Sequence, residues 1–559
     1  MQLIPLYEAL ALDLKNLGVE CVFCLMSDDT AQLLASLDSA GVRVLTARHE
    51  NNACAMAAGY AAATGRVGIA VLGRGPSASN AIHGMTFAHR TGSPVLVIVG
   101  DTAMPAASPM TLGPDLKGFE LAQAIRATGI PSCTASLAVS ARQALTMAYE
   151  QARLGAYAYL LPHDVQMSQV DPQATQPKQI SAPVASLRPA RAAAISAAVH
   201  LLSQSRKPLI VAGQGARAPA TRDALIALAD HLGAAVATTI KAKDLFRGHP
   251  FDCGVVGSFS HGGGRRLIEQ ADCILAVGAS LNERTTSYGN AFAPEASVIQ
   301  IDHSRDKLGR WFHCDVAIAA DAKSAAQQLM AALPARRPED MDMRSAPLRD
   351  WLENYDLSRD FKDVSSEQTL DPRRVGIELD RLLPEKRTLV YDAGNFLSIA
   401  PYVSVPDPAF FKWTADFASI GMGFGAALGF ACASPERTTV LIVGDGGFLM
   451  TLSELETTVR EDLPLVIVLL NDGAYGAELH LLKMRGMPTA LSQFPMVDFA
   501  PIADALGFRT ATVRNIEQLR ALKPLLAKPD GPILLDIKIN GTVAAPFMSD
   551  GPKPPVPAT

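Results

Sequence analysis

Val440-Leu441-Ile442-Val443-Gly444-Asp445-Gly446-Gly447-Phe448 reads as an apolar strand that ends in small residues around a single carboxylate. A continuous apolar run bounded by glycine predicts a strand buried on both faces of a parallel sheet. Open α/β sheets bind ligands beyond the carboxyl ends of their strands, and glycine there lets backbone come close to a phosphate. A second apolar run, 465–470, delivers Asn471-Asp472-Gly473 to what should be the same edge. Oxygens from Asp445 and Asn471 suit a hard cation such as Mg²⁺, which takes few protein oxygens and shares its shell with phosphate and water. An ordinary turn is the competing reading of Gly-Asp-Gly alone. Asn471 at the end of the neighbouring strand tips the choice toward a cation site.

Outward from this stretch, helical spacing and short apolar runs alternate along the chain, a pattern that predicts parallel sheets covered by helices. An N-terminal unit over 1–170 has a helical stretch at 6–17 and strands at 20–25, 67–72 and 94–100. A Pro-, Gln-, Ser- and Ala-rich stretch at 170–189 reads as a linker. A central unit over 186–334 has strands at 208–212, 234–238, 273–277 and 297–301. A charged connector containing Arg336-Arg337-Pro338-Glu339-Asp340 leads to a third unit over 365–559, with strands at 388–391, 439–443, 465–470 and 532–537. The predicted architecture is α/β, three consecutive doubly wound parallel-sheet domains.

A chain of 559 residues is too long for one core. Its 48% hydrophobic and 19% charged residues fit a well-buried globular protein. The net charge of −5 and the lack of a Lys/Arg block argue against nucleic acid. Met1-Gln2-Leu3-Ile4-Pro5 carries no signal pattern and no apolar run is long enough for a membrane span, so a cytoplasmic location without a membrane partner is expected. Eight scattered cysteines in a long chain fit a reducing compartment. Cys21 and Cys24 form a CxxC, but inside a run that reads as a buried strand, so they are expected to be structural.

The arrangement of Gly444-Asp445-Gly446 and Asn471 resembles the diphosphate and magnesium motif of thiamine-diphosphate enzymes of the acetolactate synthase, pyruvate decarboxylase and benzaldehyde lyase type. The resemblance extends over nearly the whole chain. It implies thiamine diphosphate and Mg²⁺ as cofactors, with Asp445, the Asn471 side chain and the Gly473 backbone carbonyl as metal ligands. Asp472 departs from the second asparagine that members often carry. Gly446, Gly447, Ala474 and Tyr475 would flank the diphosphate. Ala47-Arg48-His49-Glu50-Asn51-Asn52-Ala53 looks like the segment with the activating carboxylate, which makes Glu50 the candidate that helps the cofactor lose its thiazolium C2 proton. On its own, Glu50 reads more readily as a solvated residue ahead of a helix over 52–64, and it is the distant Asp445 motif that reverses the choice.

Further segments match. Gly73-Arg74-Gly75-Pro76 with Asn80 resembles the glycine loop facing the cofactor, although Arg74 and Pro76 depart from the usual order. Asp392-Ala393-Gly394-Asn395 resembles the segment that meets the diphosphate. Ala418-Ser419-Ile420 resembles the stretch that bends the cofactor, with Ile420 as wedge and the Ala418 carbonyl as acceptor for the aminopyrimidine. Gly278-Ala279-Ser280-Leu281-Asn282-Glu283-Arg284 is similar to the central domain that holds FAD in acetolactate synthases and ADP in oxalyl-CoA decarboxylases. Ser280 stands where FAD-binding members usually have Arg, so an unfilled nucleotide fold kept for assembly is expected, with FAD as the alternative. Gly262-Gly263-Gly264-Arg265-Arg266 reads as an anion cradle or a flexible turn.

Pyruvate decarboxylases carry adjacent histidines where this chain has Asp101-Thr102-Ala103-Met104-Pro105, so protonating decarboxylation by a His pair is disfavoured. His83, His89, Glu478 and His480 remain as acid–base candidates. Of these His480 stands out because Tyr475-Gly476-Ala477-Glu478-Leu479-His480 follows the metal loop. The expected reaction is decarboxylation of a 2-oxo acid with ligation to a second carbonyl compound. Its rivals are a lyase that splits a 2-hydroxy ketone or 2-hydroxyacyl-CoA, and a cofactor-binding regulatory protein without turnover. The resemblance also implies a homodimer or homotetramer, with Glu50 of one chain and Asp445 of another building each site.

Overall fold

A computed structural model describes residues 3–103, 115–178, 189–334 and 342–549. Part of the 170–189 stretch, the Arg336 to Asp340 segment, Met104 and Pro105 lie outside the described residues.

Three six-stranded parallel sheets follow one another along the chain. The first comprises β1 (Cys21–Cys24), β2 (Arg43–Thr46), β3 (Gly68–Leu72), β4 (Val95–Asp101), β5 (Ser132–Thr134) and β6 (Tyr157–Pro162), in the spatial order β2-β1-β3-β4-β6-β5. The second comprises β7 (Pro208–Ala212), β8 (Ala235–Thr238), β9 (Asp252–Val255), β10 (Cys273–Val277), β11 (Ser297–Asp302) and β12 (Val316–Ala319), ordered β9-β8-β7-β10-β11-β12. The third comprises β13 (Arg387–Tyr391), β14 (Phe411–Trp413), β15 (Thr438–Gly444), β16 (Leu465–Asn471), β17 (Arg509–Val513) and β18 (Ile533–Lys538), ordered β14-β13-β15-β16-β18-β17. The outer sheets therefore share one strand order, while the central sheet has the order of dinucleotide-binding folds. The inner strands are built of Val, Ile, Leu and Ala and are buried on both faces, because helices cover both sides of each sheet.

The two outer units are joined by helices α1 (Glu50–Thr64), α2 (Pro76–Arg90) and α3 (Met422–Ala433). His49 caps α1 by accepting from the Asn51 amide at 3.1 Å, and Gly65, at φ +68°, ends it in the left-handed conformation. Both α1 and α3 are rich in Ala and Gly and are buried along most of their length, with no polar face to give to solvent. They cross in backbone contact. A Cβ on Gly59 would lie 2.0 Å from the Ala426 carbonyl, and one on Gly429 would lie 2.0 Å from that of Met56. The same core takes in Phe424, Phe430 and Phe448, each fully buried.

The glycine-rich 262–266 segment is neither cradle nor loose turn. It opens the helix Gly262–Ile268, whose small residues admit the Tyr355 ring, while the Trp351 indole donates to the Gly263 carbonyl at 3.0 Å. Among the described residues no helix is long and apolar enough to cross a membrane.

Candidate active site

The third sheet reverses its winding between β13 and β15, and the crevice outside the carboxyl ends at such a switch point is where α/β sheets bind ligands. A cleft of about 1710 Å³ opens there and continues along the central domain. Gly394 and Asn395 after β13, Gly444 at the end of β15, and Asp445, Gly446 and Gly447 beyond it all line this cleft. A Cβ on Gly446 would lie 2.7 Å from the Tyr475 ring, and one on Gly447 would lie 2.6 Å from Asp392 Oδ2. No side chain fits at either position, so bare backbone faces the cleft. Ala418 and Ile420 also line it, Ile420 beside Gly447, and Ala418 holds a φ of +54°, strained for a residue with a Cβ.

Asp392 was expected at the diphosphate, but it is fully buried and does not line the cleft. Its carboxylate accepts from the amides of Gly421 at 2.7 Å and Gly423 at 3.0 Å, fixing the turn that presents Ala418 and Ile420. Burial pushes its pKa up to about 6 against those donors. Asn395 uses both ends of its amide on the C-terminal segment, donating to the Val543 carbonyl at 2.8 Å and accepting from the Ala545 amide at 2.8 Å.

Of the two side chains expected to hold the cation, Asp445 lines the cleft and Asn471 does not. Successive strand residues point to opposite faces, and the Asn471 side chain turns inward. It is fully buried and donates to the Val497 carbonyl at 2.9 Å and to Asp536 at 3.1 Å. Asp472 lines the cleft instead and shares a hydrogen bond with Asp445. Burial raises Asp445 to about 6, while burial and the charge of Asp445 raise Asp472 to about 7, as befits two carboxyls that must share a proton. The Gly473 carbonyl, expected as third ligand, accepts from the Phe494 amide at 2.7 Å, and Gly473 does not line the cleft, whereas Ala474 and Tyr475 do. The departure at position 472 was visible in the sequence; its meaning needed the direction of the side chain. Among the described residues no cluster of three or more His, Cys, Asp and Glu suited to a metal assembles. Two hard carboxylates beside open backbone are nonetheless the donor set of a cation that completes its shell with phosphate and water. The residues present thus fit a metal-bound diphosphate.

Glu50 is the first residue of α1, not a residue ahead of the helix, and is only 4% exposed. Asn80 Nδ2 donates to its Oε2 at 3.2 Å. Gly75, at φ +60°, packs on Lys117, whose carbonyl would lie 2.5 Å from a Cβ there, and Arg74 pairs with Asp115 at 2.9 Å. None of Glu50, Asn80 and Gly75 lines the cleft around Asp445 of the same chain.

His480, on α4 (Gly476–Met484), is likewise absent from the cleft. It is buried beside the backbone of Gly541 and Val543, and burial and the nearby Lys483 lower its pKa. Glu478, exposed one half-turn earlier, faces the cleft. His83 bonds Ser419 Oγ at 2.6 Å, next to Ile420.

Sequence reading assigned no role to Arg284, which lines the cleft from the central domain. Its guanidinium lies 4.6 Å from the Phe547 ring centroid and donates to the Phe547 carbonyl at 2.9 Å. Gly278, Ser280 and Asp302 line the same cleft at the β7/β10 switch point of the central sheet.

Three family models match in succession: the N-terminal TPP binding domain of thiamine pyrophosphate enzymes over 5–121, their central domain over 195–329, and their C-terminal TPP binding domain over 392–537. A probable acetolactate synthase large subunit of Methanocaldococcus jannaschii is 28% identical over 97% of this chain and 93% of its own length. Acetolactate synthase isozyme 2 large subunit of Escherichia coli K12 is 27% identical over 94% of each chain. A sulfoacetaldehyde acetyltransferase of Alcaligenes xylosoxydans xylosoxydans is 26% identical over 96% of this chain and 94% of its own.

Proposed function

The chain belongs to the thiamine pyrophosphate enzymes, and from that membership we propose that it decarboxylates a 2-oxo acid and joins the remaining acyl carbon to a second carbonyl compound, as an acetolactate synthase does. The observation that carries this reading is the Asp445–Asp472 carboxyl pair facing glycine backbone at the sheet's switch point. Thiamine diphosphate, when bound, supplies the electron sink for cleaving a bond next to a carbonyl. Asp445, Asp472 and the backbone of Ala474 would hold Mg²⁺, while Gly394, Asn395, Gly446 and Gly447 face the diphosphate. Ile420 would serve as the apolar wedge against the cofactor, and the Ala418 carbonyl would accept from its aminopyrimidine. Glu50 would exchange a proton with the same ring, and Asn80, which donates to its carboxylate, would orient it. Arg284, held over Phe547, offers a fixed positive charge to the carboxylate of the oxo acid.

Glu50 lies off its own chain's cleft, which supports a site completed by the Glu50 of a second copy, in a homodimer or homotetramer. The central crevice has the topology for FAD or ADP; a yellow colour in the purified protein would identify a flavin. One relative is named for acetyl transfer involving sulfoacetaldehyde, so a second reading keeps this site and changes the acceptor or the direction. Incubating the protein with pyruvate, other 2-oxo acids and aldehydes, plus thiamine diphosphate and Mg²⁺, and reading products by mass spectrometry tests the proposal. Ligated products from the parent, with Glu50→Gln slowed roughly 10²–10⁴-fold, are expected. No turnover by the parent on any pair would favour a cofactor-binding regulator instead.

A further inference from the structure

Cys21 and Cys24 sit in one strand but face different cores, Cys21 toward the α1/α3 packing and Cys24 toward the opposite side of the sheet. The neighbour of Cys21 is not Cys24. Its Sγ lies 3.7 Å from the Sγ of Cys432, which is 411 positions away in the last turn of α3. Cys21 is buried and Cys432 is half-buried, so one member of the pair is reachable and the other is enclosed. Beside them, Arg43 Nη1 lies 3.6 Å from Cys432 Sγ, and the same guanidinium is anchored to Glu461 at 3.1 Å. A thiol with a partner thiol and a fixed cation against it is in the setting that makes cysteines react, whereas an isolated buried cysteine is inert.

We propose that Cys432 is a peroxide-reactive cysteine and Cys21 its resolving partner, together forming a reversible disulfide between the first and third sheet units. The sulfurs are close enough that side-chain rotation could bring them to the roughly 2.05 Å of a disulfide, an approach of under about 2 Å. Hydrogen bonding from Cys21 and the charge of Arg43 lower the pKa of Cys432, while the same pairing and burial raise that of Cys21. The Arg43 guanidinium against Cys432, and the partial exposure of Cys432 beside a buried Cys21, assign the attacking sulfur to Cys432. The Cys432 thiolate attacks one peroxide oxygen, an S–O bond forms as the O–O bond breaks, and the departing hydroxide takes up a proton as water. The Cys21 sulfur then attacks the sulfenic sulfur. The S–S bond forms, the S–O bond breaks, and the leaving hydroxide carries off the Cys21 proton as a second water. Two thiols are oxidised and one hydroperoxide is reduced.

The staple ties β1 to the end of α3, the helix whose start follows the Ala418–Ile420 turn. It stands apart from the carboligation reading, because neither sulfur lines the cleft. The test is to expose the reduced full-length protein to hydrogen peroxide, quench with a thiol-blocking reagent, and combine intact mass with peptide mapping. A loss of about 2 Da, a Cys21–Cys432 cross-linked peptide, and recovery with dithiothreitol are expected. In Cys432→Ser and in Cys21→Ser the link should vanish, and in Arg43→Gln it should form several-fold more slowly. The oxidised parent should melt higher than the reduced one, a shift absent from Cys432→Ser. An unchanged mass, Cys432 oxidised only to its sulfinic acid, a link joining any other cysteine pair, or equal rates in parent and Arg43→Gln would each overturn the assignment.

Discussion

Asp472 and Asn471 show how one position along the chain separates a cleft-facing side chain from an inward-turned one. In the metal-free protein both carboxyls of the Asp445–Asp472 pair titrate higher than in an unfolded chain, so the folded state retains protons that the unfolded state has released. The stabilisation from that shared proton is complete at low pH and is lost as pH rises through about 6 and then about 7. Asp472→Asn removes it. Calorimetry of the metal-free variant should therefore show a flatter dependence of melting temperature on pH, with the variant above the parent at about pH 8. If the pair holds Mg²⁺ as proposed, both carboxyls must ionise, so in the parent the cation should raise the melting temperature more at about pH 8 than at about pH 6. Asn471→Ala has a different signature. It deprives Asp536 and the Val497 carbonyl of a donor and should cost about 1–3 kcal/mol in urea unfolding while Mg²⁺ affinity is retained.

At the scale of elements, the crossing of α1 and α3 depends on missing side chains. Gly59→Ala or Gly429→Ala drives a methyl group into a backbone carbonyl that cannot turn aside, and at least about 2 kcal/mol of lost stability is expected in a denaturant titration. Gly65→Ala meets open space and pays only for its left-handed φ, about 1 kcal/mol. Which elements could be read from the sequence follows from the same physics. Strands buried on both faces, such as β7, β10 and β16, are unbroken apolar runs and stand out. Each of the six edge strands (β2, β5, β9, β12, β14 and β17) escaped the reading, as did the inner β6. An edge strand such as Ser132–Thr134 or Arg509–Val513 is short or partly exposed and carries no long apolar run. The glycine loop beyond β15 was legible because glycine leaves a chemical mark, whereas the start of α1 at Glu50 lay two residues before the expected one. The inward turn of Asn471, the bracing role of Asp392 and the burial of His480 were not legible, since each depends on what a distant segment packs against it.

For the whole molecule, the proposed function brings together two groups, Glu50 and the Asp445–Asp472 pair, of which only the pair lines the cleft of its own chain. Met484, Met487, Leu491 and Phe494 on the third unit are exposed apolar side chains, Leu491 at 94%, and an exposed apolar patch suits contact with another protein surface. Sedimentation should find dimers or tetramers whose activity falls on dilution. A sharper test mixes two inactive variants, Glu50→Gln and Asp445→Ala, after reversible dissociation. If each site draws on two chains, random pairing restores about a quarter of parental turnover, because half the dimers are mixed and each holds one intact site. Mixtures that stay inactive would place both groups in one chain's site. The amide of Asn395 grips the stretch at 543–545, and Phe547 lies just past that grip against Arg284. The chain's final described turn is thus a hasp on the mouth of the cleft, and a protease that clips at that hasp would unlatch it while leaving all three sheets whole.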